Sequence, residues 1–264
     1  MKIGFIGSGN MASAIIGGVL KKGLMKVDEI ICSDLSKDSR EKIETLYKIT
    51  VTKDNLEVVK KSEIIVLAVK PQFYELVIRE IKGEIRPEQR IITIAPGKTI
   101  AWLEEQFEKT VKLVRTMPNT PAMVLEGMTG VCKNDNVTEE ELEEILEILS
   151  AFGKAEVVSE NLLDVVVSVS GSSPAYVYIL IEAMADAAVA DGMPRDKAYQ
   201  FAAQAVYGSA KMVLETGKHP GELKDMVCSP AGTTIEAVRV LEERGFRSAV
   251  IEAMKACVEK TKRM

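Results

Sequence analysis

The first twelve residues restrict the fold more than any other part of the chain. Residues 2–6 form a short apolar run, and Gly7-Ser8-Gly9-Asn10-Met11-Ala12 follows at once. Residues 11–22 then repeat apolar side chains at helical spacing. This is the pattern G-x-G-x-x-G/A between a strand and a helix, the context it needs before it carries information. Gly7 permits the tight turn, Gly9 lets the backbone approach a pyrophosphate, and Ala12 lets helix and strand pack closely. The helix start adds unpaired N–H groups and a partial positive charge. A dinucleotide-binding unit is expected; a glycine-rich turn without ligand is the competing reading, and the strand–turn–helix context weighs against it.

The pattern continues through the first 160 residues. Short apolar runs at 2–6, 29–33, 64–69, 91–94 and 111–115 alternate with helical spacing at 11–22, 36–46, 73–81 and 100–107. Such alternation predicts a parallel sheet covered on both faces. A further helix is expected over 139–152, with Thr138 as its cap and Glu141 three residues on. From about Leu162 the strand-like runs stop. Helices are expected from 174 to 190, from 195 to 216 with a stop at Gly217, over 233–243 and over 247–262. The fold class is therefore α/β: an N-terminal Rossmann-type doubly wound sheet over 1–160, then an all-α domain over 161–264. Glu182 and Asp186 are the only formal charges between Pro174 and Ala190. A helix apolar around its circumference must be covered on most sides. About 100 residues do that poorly within one subunit, so an oligomer interface is expected, the alternative being the central helix of a monomeric bundle. Apolar runs stop at six or so residues, against the roughly 20 needed for a bilayer, so no membrane span is expected.

Charge and rare residues exclude several functions. A net charge of −5 argues against a nucleic-acid binder. His219 is the single histidine, which removes two-histidine metal sites and most Ser-His or Cys-His triads; no metal site is expected. Beside Pro220, between helices, His219 reads as a surface or capping residue. The four cysteines, at 32, 132, 228 and 257, form no C-x-x-C. The start reaches glycine too soon for a secretion signal, so reduced thiols and a cytoplasmic location are expected.

Candidate ligand residues fall where strands end. Asp34, at the end of the second strand, suits a ribose 2′-OH and would repel a 2′-phosphate, yet Ser33, Ser36, Lys37 and Arg40 are near enough to hold one. NADH and NADPH both remain open, and Asp34 reads equally as a helix cap. Ala68-Val69-Lys70-Pro71 and Ala95-Pro96-Gly97 end the third and fourth strands, where a dinucleotide would lie. Lys70 reads as a backbone contact ahead of a catalytic amine. Met117-Pro118-Asn119-Thr120-Pro121 is either a rigid turn or a presenter of polar groups to the cleft. Ser229-Pro230-Ala231-Gly232-Thr233-Thr234 opens a helix and is either a cap or a carboxylate pocket. A bound coenzyme implies hydride transfer. With almost no imidazole to serve as base, reduction of an imine fits better than oxidation of an alcohol, because the substrate nitrogen carries its own proton.

Gly7 to Ala12, Ala68 to Pro71, Met117 to Pro121, Gly171-Ser172-Ser173-Pro174-Ala175-Tyr176 and Ser229 to Thr234 ahead of Glu236-Ala237-Val238 together resemble the pyrroline-5-carboxylate reductases. The resemblance covers essentially the full chain in order, and its last segment is the most specific. It implies reduction of 1-pyrroline-5-carboxylate to L-proline with NADPH or NADH, the last step of proline synthesis. It implies a helical domain that dimerises by intertwining, with further assembly to decamers in the family, and an active site between one subunit's coenzyme domain and the dimer partner's helices. Carried over by motif, Ser229, Gly232, Thr233 and Thr234 would hold the substrate, with Thr234 as proton relay. Gly7, Gly9, Asn10 and Met11 would bind the pyrophosphate, and Ser33, Asp34 and Asn55 would border the adenosine ribose. Ala68, Val69, Lys70, Pro71, Ala95, Pro96 and Gly97 would line the dinucleotide, with Asn119 toward the nicotinamide. Three positions depart from the family pattern. Ala231 and Ser173 replace glycines, and Pro96 stands where alanine is commoner. A methyl at 231 would crowd the turn or require negative φ.

Overall fold

The computed structural model describes residues 2–263. The chain divides into two compact units, one running to Ser172 and regaining the residues from Cys257 on, the other covering Ser173–Ala256.

The first unit is built on an eight-stranded sheet. Its strands are β1 (Ile3–Ile6), β2 (Ile30–Ser33), β3 (Thr50–Thr52), β4 (Ile64–Leu67), β5 (Arg90–Thr93), β6 (Lys112–Met117), β7 (Gly127–Lys133) and β8 (Gly153–Val157), in the order 3-2-1-4-5-6-7-8. Strands β1 to β6 are parallel; β7 runs antiparallel to β6, and β8 parallel to β7. β1, β2, β4 and β5 are buried along their whole length, so they appear in the sequence as unbroken apolar runs.

Successive strand residues point to opposite faces and feed two cores. Ile3, Phe5, Ile64, Val66 and Ile92 pack with α1 (Asn10–Lys21), α2 (Lys37–Tyr47) and α6 (Glu139–Leu149). Ile6, Ile65, Leu67 and Ile91 pack with α3 (Asn55–Lys61), α4 (Tyr74–Ile81) and α5 (Ile100–Phe107). The helices expected over 11–22, 36–46, 73–81 and 100–107 are present within one residue at each end. The one expected over 139–152 is α6 continued by a 3-10 turn over Ser150–Phe152. The capping box expected there forms: Thr138 Oγ1 accepts from Glu141 N at 3.2 Å, and Glu141 Oε2 accepts from Thr138 N at 3.0 Å.

Strands β3, β7 and β8 and the helix α3 are additions to the sequence reading. β3 and β8 are the sheet edges, short and partly exposed, and β7 contains two glycines. Edge and glycine-bearing strands carry little apolar periodicity, so pairing with a neighbour, rather than local pattern, defines them.

A short helix α7 (Leu163–Val166) follows, then a π-turn over Val167–Gly171 closed by Ser172 N donating to Val167 O at 2.7 Å. These join α8 (Ser173–Ala190) into one helical run, Glu160–Ala190, which by length and composition is long and apolar enough to cross a membrane. This corrects the expectation that no segment approaches that length. The serines at 168, 170, 172 and 173 break the apolar run in sequence without breaking the helix.

The second unit holds α8 and also α9 (Arg195–Thr216), α10 (Pro220–Val227), α11 (Thr233–Glu243) and the larger part of α12 (Phe246–Thr261). Gly217 ends α9 in the left-handed conformation, as its position predicts. His219 caps α10, its Nδ1 accepting from Gly221 N at 3.0 Å, in line with the capping reading. Among its described residues only Ala185, Ala198 and Ala202 are buried. Tyr178 is 60% exposed, Ile179 66% and Phe201 66%. A unit of this size with three buried alanines lacks the apolar burial that balances chain entropy.

Candidate functional site

The parallel strands β1, β2, β4 and β5 bring Ile6, Ser33, Leu67 and Thr93 to one edge of the sheet. β1 lies between β2 and β4, so the chain reverses its direction of progress there, the place where open α/β sheets bind dinucleotides. Gly7 turns at φ +100°, and a Cβ on it would stand 2.8 Å from the carbonyl carbon and oxygen of Ala68. The turn can therefore pass the end of β4 only as glycine. Gly9 caps α1 without a side-chain hydrogen bond, and a Cβ there would meet nothing within 4 Å. The open space above Gly9 and the uncapped N–H groups of Asn10 and Met11 fit a pyrophosphate.

Asp34 follows β2 directly. Its Oδ2 accepts from Ser8 N at 2.9 Å and Ser8 Oγ at 2.7 Å, and its Oδ1 accepts from Ser36 N at 2.9 Å. Partial burial opposes ionisation, but these hydrogen bonds, with Arg40 nearby, outweigh it and hold the carboxyl below its usual range. The cap of α2 is Ser36, whose Oγ accepts from Ser39 N at 3.2 Å, which corrects the alternative that Asp34 is the cap. Ser33 is fully buried and donates to Asn55 Oδ1 at 2.7 Å; Asn55 Nδ2 donates to Glu80 at 2.8 Å. These two residues thus join β2 to α3, with Asn55 the more accessible of the pair.

Ala68, Val69, Lys70 and Pro71 leave β4, and Ala95, Pro96 and Gly97 leave β5 at the same edge. Lys70 is exposed, and its carbonyl accepts from Phe73 N at 2.9 Å, in keeping with a main-chain role. Tyr74 fixes both loops, an arrangement the sequence reading missed. Its hydroxyl donates to Leu67 O at 2.6 Å and accepts from Ile94 N at 3.2 Å. Full burial pushes its pKa up, so it stays a neutral donor. A second brace, also missed, is the buried Arg115, which donates to Glu160 Oε1 at 3.0 Å, while the same oxygen accepts from Ile100 N at 2.7 Å. Neither has a sequence signal, because each brace is completed only by a partner 20 or more residues away.

Asn119 is 8% exposed and both ends of its amide are engaged. Nδ2 donates to Ser170 O at 3.0 Å and Oδ1 accepts from Met128 N at 2.9 Å. Its side chain ties the segment after β6 to β7 and the π-turn.

In the second unit, Ser229-Pro230-Ala231-Gly232 is a β-turn closed by Gly232 N donating to Ser229 O at 3.0 Å. Ala231 has φ +58°, the third-residue conformation of a type II turn, which normally takes glycine. Of the two alternatives, a methyl that crowds the turn or one that requires negative φ, the second is corrected: the closing hydrogen bond holds the turn in place and alanine adopts the left-handed conformation, at a cost of roughly 1–2 kcal/mol. Gly232 caps α11 without a side chain, and a Cβ on it would stand 2.4 Å from Ser229 Oγ. Ser229, Thr233 and Thr234 therefore surround an uncapped helix start, with exposed N–H groups and hydroxyls that fit a carboxylate and a protonated nitrogen.

Comparison with known proteins matches residues 160–264 to the family model described as pyrroline-5-carboxylate reductase dimerisation. Residues 2–97 match NADP oxidoreductase coenzyme F420-dependent. The chain is 52% identical over 263 residues to pyrroline-5-carboxylate reductase of Escherichia coli, covering 100% of this chain and 98% of that one. Among solved structures, pyrroline-5-carboxylate reductase of Coxiella burnetii superposes with a TM-score of 0.92 at 33% identity, covering 99% of this chain and 97% of that one. The Plasmodium falciparum pyrroline carboxylate reductase, solved with NADP bound, superposes with a TM-score of 0.91 at 32% identity, covering 100% and 97%.

Proposed function

The chain belongs to the pyrroline-5-carboxylate reductase family, and from that premise we propose that two groups of its residues divide one reduction between them. It is an oxidoreductase that reduces 1-pyrroline-5-carboxylate to proline, the last step of proline synthesis, with a nicotinamide coenzyme. The observation that carries the reading is identity at 52% over the whole chain, joined to a strand–turn–helix whose open space suits a pyrophosphate.

When bound, the reduced nicotinamide supplies a hydride, with its electron pair, to the imine carbon. The electron pair of the C=N bond passes to nitrogen, which already carries its proton, and the product is a secondary amine. No strong base is needed, consistent with a chain whose single histidine serves as a cap. Gly7, Gly9, Asn10 and Met11 would seat the pyrophosphate through main-chain groups. Asp34 and Asn55 would border the adenosine ribose, with Ser33 holding Asn55 from behind. Ala68, Val69, Lys70, Pro71, Ala95, Pro96 and Gly97 would line the dinucleotide, and the main chain of Asn119 would face the nicotinamide. Ser229, Gly232 and Thr233 would hold the substrate carboxylate at the start of α11. Thr234 would hydrogen-bond the ring nitrogen and exchange its proton with solvent. The first group lies within 1–160 and the second within 161–264, which supports a division into a coenzyme domain and a substrate and dimerisation domain.

Steady-state oxidation of NADH and NADPH with pyrroline-5-carboxylate tests the reading, with proline as the product to be found. Coenzyme binding without turnover by either, in assembled protein, would instead make this a coenzyme-binding protein without catalysis.

The exposed apolar surface of α8 and α9 supports a homodimer through residues 161–264; assembly of such dimers to a decamer is part of the same proposal. That surface is read as an interface between copies rather than as a membrane contact. Light scattering is expected to give at least twice the chain mass of 28.9 kDa; a stable monomer would defeat the interface. Four unpaired cysteines support a reducing compartment such as the cytoplasm.

A further inference from the structure

We propose that the loop after β2 makes this enzyme prefer NADH to NADPH, with the Asp34 carboxylate as the selecting group. The inference rests on the reductase reading and deepens it by naming the coenzyme.

Of its two carboxylate oxygens, Oδ2 takes both Ser8 donors and Oδ1 takes Ser36 N. A carboxylate offers about four acceptor positions, so one remains, and it can serve only a donor. A ribose 2′-OH is a donor. A 2′-phosphate brings up to two negative charges and no donor at neutral pH. Asp34 cannot swing aside for it without releasing Ser8 N, which belongs to the phosphate turn itself. The carboxylate is therefore fixed by the same turn that would seat the pyrophosphate, and the adenosine ribose would lie beside it.

The groups that would welcome a 2′-phosphate already have partners. Arg40 Nη1 donates to the carbonyls of Asp34 at 2.6 Å and Leu35 at 3.0 Å, so the guanidinium braces the loop. Lys37 pairs with Glu41 at 3.4 Å. Ser36 Oγ caps α2, and Ser33 is buried against Asn55. A 2′-phosphate would have to compete with these contacts, whereas a hydroxyl leaves them intact. The Asp34 carboxylate is negative and tethered at the position, while Arg40 is held on the loop's own carbonyls and Lys37 on Glu41.

The test is direct binding of NADH and NADPH by titration calorimetry, without substrate, for the full chain in its assembled state. Kd for NADPH is expected to exceed Kd for NADH by about tenfold or more, the scale of one close like-charge contact in a partly solvated site. Asp34→Ser removes the charge and keeps a hydroxyl; Asp34→Asn removes the charge and keeps an acceptor for Ser36 N. Each is expected to shift the ratio of the two constants toward NADPH by about tenfold. The ratio is the readout because loosening of the phosphate turn weakens both coenzymes alike. Equal or tighter binding of NADPH by the unaltered protein would overturn the proposal, as would an unchanged ratio in both variants. Binding is measured apart from turnover, so failure of the reductase reading would appear in the steady-state assay and failure of this one in the ratio.

Discussion

Gly7→Ala is expected to abolish detectable binding of NADH and NADPH and to destabilise the fold, whereas Gly9→Ala is expected to weaken binding alone. The two glycines stand two residues apart but answer to different constraints. At Gly7 the backbone has φ +100°, and an added Cβ would meet Ala68 C and O at 2.8 Å and Val69 N at 3.0 Å. All three are main-chain atoms at the end of a central strand and cannot step aside. Backbone strain and overpacking together cost on the order of 2–5 kcal/mol, a large part of the stability of a protein of this kind. At Gly9, φ is −68° and the space is open, so alanine fits the chain itself. Its methyl can meet only what lies above the turn. Gly9→Ala should keep its stability within about 0.5 kcal/mol and lose roughly tenfold or more in coenzyme affinity. Thermal unfolding and calorimetric titration check both. If Gly9→Ala binds coenzyme as well as the unaltered chain, the pyrophosphate does not lie over this turn.

Thr234→Ala is expected to lower kcat/KM for pyrroline-5-carboxylate by about 100-fold, the lower end of what a positioned proton-transfer group contributes. The lower end is chosen because the imine nitrogen is protonated before the hydride arrives, so the hydroxyl orients a proton rather than creating one. Coenzyme affinity should stay unchanged, since Thr234 lies in a different unit from the phosphate turn. Thr234→Ser should recover most of the activity, because it restores the hydroxyl at the same helix position. Steady-state kinetics with a parallel coenzyme titration separates the outcomes. Loss of coenzyme binding in Thr234→Ala would mean that the residue serves the wrong partner, and full activity would remove it from the reaction.

These expectations differ in how far back they reach. The phosphate turn is legible in residues 2–22 alone because strand, turn and helix are consecutive and each limits the next. The hydroxyl turn at 229–234 is equally contiguous, and its helix starts at Thr233 as its spacing predicts. The conformation of Ala231 is another matter. Its positive φ follows from closure of the turn by Gly232 N and Ser229 O, and a residue name alone argues for the opposite sign.

The sequence by itself determined the alternation of the central strands with their helices in the first half, the coenzyme turn, the helical second half and the reaction class. Those rest on periodicity and on neighbours in the chain, which a sequence carries openly. Only the tertiary structure decided how Asp34 is used: Ser36, two residues later, is a local donor, but Ser8, 26 residues earlier, meets the carboxylate only once β1 and β2 pair. It alone revealed Tyr74 holding the ends of β4 and β5, and the edge strands that have no pattern until they find a partner. Long-range hydrogen bonds depend on which segments become adjacent. Chain-local patterns do not encode that adjacency, and it is what shapes a general dinucleotide motif into this particular site.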